Sequence, residues 1–163
     1  MLLHVSIPLS QFFSLPARHK LLLLKAWFLL GFFRAAVLCF PLKRLTLPLQ
    51  HHAQAQPSAP LRENQQREAV AIGRLVAGAA RVTPWQSLCL TQVLVVQRLL
   101  LKKNIPGQIY LGVRKGDQQV ACPGTAATGL YAHAWLQSGD QIVNGGGGVE
   151  QFAVVSVYSW EAL

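Results

Sequence analysis

No acidic residue precedes Glu63, although seven basic ones do: Arg18, Lys20, Lys25, Arg34, Lys43, Arg44 and Arg62. Charge is scarce elsewhere too. Charged residues are 13% of the 163-residue chain, about half the ~25% usual in soluble domains. With 52% apolar residues, the chain must hide much of its surface in a core, against a partner or on a membrane. The excess of nine positive charges suits anionic lipid, nucleic acid or an acidic protein surface, with a solvated basic rim as the plain alternative. Nucleic acid is not among the expected partners. Cysteine is also sparse: Cys39, Cys89 and Cys122 are an odd number without CxxC spacing. That argues against a disulfide framework or a zinc site and for a reducing, cytoplasmic location. His51-His52 has no carboxylate or thiol close by, so solvated linker histidines are expected there, and no metal or other cofactor. Met1 to Pro16 lacks the features of a secretory signal. The longest apolar run, Leu21 to Phe40, is broken by Lys25 and Arg34. A charge near the bilayer centre costs roughly 2.5–3.5 kcal/mol, so a peripheral or partner-buried helix is expected rather than a span.

One domain of ordinary size fits this length. Residues 1–16 read as irregular, and a helix is expected from Ala17, ending before Pro41. Its Lys20 and Arg34 share one side and Lys25 falls on the other, a blurred pattern that favours burial among helices. Residues 41–60 hold four prolines, two histidines and several glutamines and read as an exposed connector. A helix over about Leu61–Ala80 follows, broken at Pro84. Ser87 is the expected N-cap of a third helix over about Leu88–Lys103. Apolar residues run almost all round that helix, which marks it as central. Asn104 with Pro106-Gly107 closes it.

Beyond Gly107 the period becomes that of strands. Gln108–Val113, Gln118–Cys122, Leu130–Gln137, Gln141–Asn144 and Phe152–Tyr158 are the expected strands, with turns at Arg114–Asp117 and Ser138–Asp140 and a loop at Pro123–Gly129. Helices first and an antiparallel sheet second make the fold class α+β. The division is residues 1–60, an apolar basic helical region with its connector, and residues 61–163, the sheet-bearing domain.

Cys89 stands in the first turn of the central helix, where the partial positive charge favours a thiolate. His133 lies on a strand and can take the thiol proton and return it to a leaving group. Cys39, inside a helix, and Cys122, beside Pro123, lack that helix-start field. A structural cysteine and a satisfied half-buried histidine are the plain readings of the same residues. A base also needs a group to fix its tautomer. In a hairpin turning at Ser138–Asp140, residues opposite His133 lie near 145 or 146, which brings Asn144 and Gly145 close. Asn144 is preferred as third member, with Asp140 as the alternative at the hairpin tip. Trp135 shares a sheet face with His133. The Cys89 N–H is a natural oxyanion donor, and the second donor is not identified.

A cysteine-led buried helix followed by a histidine-bearing antiparallel sheet is the papain-like and transglutaminase-like cysteine protease layout. CLTQVLVVQRLLLKKNIPGQIYLGVRKG (residues 89–116) and YAHAWLQSGDQIVNG (residues 131–145) resemble the B proteins of lasso-peptide biosynthesis, over about residues 60–158. The leucine-rich basic helix before Pro41 is similar to the family's N-terminal region. The resemblance implies a transglutaminase-like leader peptidase, with the nucleophile at Cys89 and the base at His133. The family's third member, usually an aspartate, falls where this chain has Gly145, which leaves Asn144 or Asp140 as substitute. With no leader-recognition domain apparent, the resemblance implies the split form. Its partners would be a precursor peptide, a separate leader-binding protein and an asparagine-synthetase-like cyclase. The rival readings are an amide transferase on the same fold and a membrane-associated scaffold with a degenerate site.

Overall fold

The computed structural model of the chain describes residues 17–46, 49–52, 60–115 and 129–161. Helix α1 (Ala17–Cys39) ends two residues ahead of Pro41. It buries Ala26, Leu30 and Ala36, while Leu21, Leu24, Phe28, Phe32 and Leu38 remain exposed. The expected burial among helices therefore holds for one face only. Both faces are apolar, which is why the sequence pattern did not separate them.

The stretch expected to be a connector has structure of its own. Leu42–Leu45 form a short helix, α2, and Gln50–His52 form an edge strand, β1. The histidines are strand rather than linker residues, with His51 exposed and His52 half-buried at the sheet edge. The ring Nε2 atoms of His51 and His52 each lie 2.8 Å from a serine Oγ, of Ser156 and Ser159 respectively.

Helix α3 (Glu63–Arg81) buries Ala69, Ile72, Gly73, Val76 and Ala79, one face at helical spacing. Its wet face carries the Glu63–Arg67 ion pair. Helix α4 (Cys89–Leu101) is buried nearly all round, from Thr91 and Val93 through Leu100, as its composition demanded. Its N-cap is Leu88 with no side-chain cap. Ser87, expected in that role, instead shares its hydroxyl with Thr83 and accepts from the Gln92 side-chain amide through its carbonyl. At the far end Asn104 takes φ 56°. The Ile105 and Asn104 N–H groups then bond the carbonyls of Leu100 and Leu101, a left-handed closure of the helix.

Strands β2 (Gly107–Lys115), β3 (Leu130–Ser138), β4 (Gln141–Asn144) and β5 (Ala153–Trp160) complete the sheet. Its order is β1-β5-β2-β3-β4, antiparallel at every pairing. The chain is α+β, helices packed on one face of an antiparallel sheet. Ile109, Ala134, Leu136, Val143 and Trp160 join the helices in the main core. Tyr110, Trp135 and Val157, with Val149 and Phe152 against them, form a second cluster. The N-terminal stretch 1–16, the return strand Gln118–Cys122 and most of the loop at Pro123–Gly129 lie outside the described residues.

Gly73 sets how closely α3 approaches β4. A Cβ there would lie 1.8 Å from the Val143 carbonyl oxygen, so only glycine lets the helix rest on that strand's backbone. This contact fixes the β4 end from which the chain enters the site.

Candidate active site

Strand alternation places Ala134 and Leu136 on the helix side of β3, and His133 with Trp135 on the other. Cys89 belongs to the edge of the helix-side core. The two meet because β4 pairs with β3 only over residues 136–138. From Leu130 to Trp135, among the described residues, no strand pairs with that side of β3. At this open edge the Cys89 thiol and the His133 ring come close enough for each to shift the other's ionisation.

The His133 ring is held from its other end. Nε2 lies 2.7 Å from the carbonyl oxygen of Gly145. A carbonyl only accepts, so Nε2 carries the proton. That leaves Nδ1 to face the sulfur, as lone pair or as N–H after proton transfer. Aromatic rings box the imidazole. Trp135 lies 6.0 Å from it and near parallel, and Phe152 lies 5.1 Å away. Tyr110 stacks on Trp135 at 5.5 Å. The box closes over Gly112, the cross-strand partner of His133. A Cβ at Gly112 would come within 2.8 Å of both Phe152 and Trp135.

Electrostatics favour charge separation across the pair. Burial pushes the Cys89 thiol up. Hydrogen bonds from His133 and from the main-chain N–H groups of Ala134 and Leu90, with the charge of His133, outweigh it and hold the thiol below its ordinary value of 9.0. The Leu90 N–H is one of the unpaired donors of the first helical turn. His133 moves the opposite way, raised above 6.5. The hydrogen bond to Cys89 contributes most, desolvation opposes it, and the Gly145 carbonyl and the Cys89 charge add to the rise. An ionised sulfur beside an imidazolium is a nucleophile with its proton donor already in place.

The expected third members stand elsewhere. The Asn144 amide nitrogen points to the Gly73 carbonyl at 3.5 Å, and its Oδ1 is buried without a hydrogen-bond partner. It therefore does not hold His133. Asp140 is exposed at the β3–β4 turn, and the described contacts give it no part in the pair. The hairpin count did bring residue 145 beside the ring, but the group that turns toward it is a main-chain carbonyl. Gly145 has φ 74°, and a Cβ on it would lie 2.6 Å from the Ala134 carbonyl oxygen. Sequence reasoning missed Gly112 and Phe152 as well. A glycine inside a strand pattern was the available signal, since it marks close approach of other groups. Among the described residues no group of three histidine, cysteine or acidic side chains converges on a metal position.

Residues 34–157 match the family model described as the transglutaminase-like superfamily. No curated protein and no solved structure matches the chain.

Proposed function

The chain belongs to the transglutaminase-like superfamily, and from that premise we propose that it is a cysteine peptidase that removes the leader from a lasso-peptide precursor. The observation that carries the reading is the meeting of Cys89, at the start of α4, with the His133 ring, which Gly145 steadies from its other end. The resemblance of residues 89–116 and 131–145 to the B proteins supplies the substrate class. A separate leader-binding protein presents the precursor, and an asparagine-synthetase-like cyclase takes the freed core, in the cytoplasm.

In this reading the Cys89 thiolate attacks the carbonyl carbon of the peptide bond joining leader to core. The Cys89 N–H faces the developing oxyanion. As the tetrahedral intermediate collapses, the C–N bond breaks and His133 gives its Nδ1 proton to the leaving amine. Water then attacks the thioester with His133 as base, releasing the leader as a carboxylic acid and returning the sulfur. An amine in place of water would give amide transfer from the same acyl-enzyme. The test is to incubate the full chain with precursor and leader-binding protein and to weigh the products. Two fragments summing to the precursor plus one water support the peptidase. One joined species identifies a transferase, and an unchanged precursor contradicts both.

The neutral Gly145 carbonyl stands where the B proteins that the chain resembles usually carry an aspartate, and the backbone explains why a carboxylate cannot simply be placed there. Gly145→Asp places a side chain at positive φ, which costs roughly 1–2 kcal/mol, and against the Ala134 carbonyl, which costs more. We expect the melting temperature to fall by about 5 °C or more and cleavage to decline with it. A Gly145→Asp protein of parental Tm and higher activity would show that a carboxylate fits there after all.

A further inference from the structure

The peptidase reading makes no use of the outer face of α1, and that face has a definite chemistry. Leu21, Leu24, Phe28, Phe32 and Leu38 are each at least half exposed, Phe28 at 62% and Phe32 at 66%. At 3.6 residues per turn they form one stripe about 25 Å long. Contiguous exposed apolar surface of this kind marks an interaction site. Basic residues flank it. By helical position Lys25 lies on one side, and Lys20 and Arg34 on the other. On the Lys25 side the chain sets like charges together. Lys102 is held below its usual range mainly by the neighbouring Lys25, with desolvation and Arg98 adding to the effect. Repulsion within such a cluster is relieved by an anion from outside.

From this placement we infer that the outer face of α1 seats the protein on an anionic lipid bilayer, with the stripe among the upper acyl chains and Lys25, Arg98 and Lys102 at the phosphates. An apolar face bordered by cations is the signature of a helix lying in the membrane interface. By length and composition Lys20–Cys39 could also cross a membrane. Its inner face argues against that, since Ala26 and Leu30 are fully enclosed in the main core and α1 rests on α3 and α4. Spanning would strip those contacts, whereas lying flat keeps them. The surface is also tied to the site. Trp85, four residues ahead of Cys89, lies 4.8 Å from Trp27 of α1, and a Cβ at Gly31 would come within 3.0 Å of its ring. Docking through α1 thus places the segment leading to the nucleophile near the bilayer.

The test is co-sedimentation of the full chain with vesicles of phosphatidylcholine alone and of phosphatidylcholine with phosphatidylglycerol, over a salt series. The expected result is binding to the anionic vesicles that weakens with salt, and little binding to the neutral ones. Phe28→Gln/Phe32→Gln lowers that binding by about tenfold or more. Lys25→Ala/Lys102→Ala lowers it by roughly 25-fold, about fivefold per cation. Both variants keep the parental melting temperature. Equal binding to both vesicle types, no binding, or unchanged binding by the phenylalanine variant would overturn the inference. So would a solution dimer that Phe28→Gln/Phe32→Gln dissociates, which would assign the stripe to a second copy of the chain. Leader cleavage in detergent-free buffer is read separately, so loss of docking and loss of the peptidase are distinguishable.

Discussion

On the proposed peptidase reading, Cys89→Ala is expected to lower the rate of leader removal by roughly 10³-fold or more, and His133→Ala to do nearly the same. The double variant is scarcely worse than either single one, because nucleophile and base act as one unit and the loss of either disables both. The site geometry sets this size. Among the described residues the sulfur is the group that acts on the ring away from Gly145, and the main-chain N–H groups of Ala134 and Leu90 serve that sulfur. Alanine leaves those donors and the ring in place, with nothing to attack the substrate. The measurement is single-turnover cleavage of the precursor with the leader-binding protein present, read by product mass. Cleavage by Cys89→Ala at the parental rate would contradict the mechanism, because the bond would then be cut without this sulfur.

Gly73→Ala is expected to have the largest effect on stability. The new methyl would lie 1.8 Å from the Val143 oxygen and 2.7 Å from its carbonyl carbon, and backbone on both sides cannot yield as a flexible side chain would. Overpacking costs typically 1–3 kcal/mol. A clash of backbone against helix belongs at the upper end, about 3 kcal/mol, or a fall in Tm of roughly 6–12 °C for a chain of this size. Activity falls too, since β4 leads directly to the Gly145 carbonyl that holds His133. The control lies one and a half turns further along the same helix. A Cβ at Gly78 would meet nothing within 4 Å, so Gly78→Ala raises stability by about 0.5–1 kcal/mol through helix propensity alone. Opposite effects of one chemical change in one helix isolate the α3–β4 contact. A Gly73→Ala melting temperature within about 2 °C of the parent would show that the sheet gives way.

What the chain discloses before folding is its local chemistry. The break at Pro84, the apolar run after it and the closing Asn104 place Cys89 in the first turn of α4. Alternation finds β3, and the count across the turn brings residue 145 beside His133. Which atom faces the ring depends on contacts between distant elements. The Asn144 amide is drawn away because α3 comes close enough, at Gly73, to offer a carbonyl. The edge strand Gln50–His52 was hidden for the same reason. Three residues in a proline- and glutamine-rich stretch carry no strand pattern, and only pairing with β5, over a hundred residues later, makes them one. The two faces of α1 could not be told apart by hydrophobicity, since both are apolar and only one meets α3 and α4.

The central claim is that His133 and the start of α4 ionise the sulfur of Cys89, and the pH dependence of its alkylation by iodoacetamide tests that most directly. Lowered in the folded chain, the Cys89 thiol stays thiolate at pH values where an ordinary thiol is already protonated. Its reactivity therefore persists as pH falls, and is lost only as pH drops through the lowered value. Peptide mapping should show Cys89 labelled about tenfold faster than the more exposed Cys39 at neutral pH, with an inflection below 9.0 that moves up in His133→Ala. Equal labelling of both cysteines, with an inflection at or above 9.0 that His133→Ala leaves in place, would contradict the account.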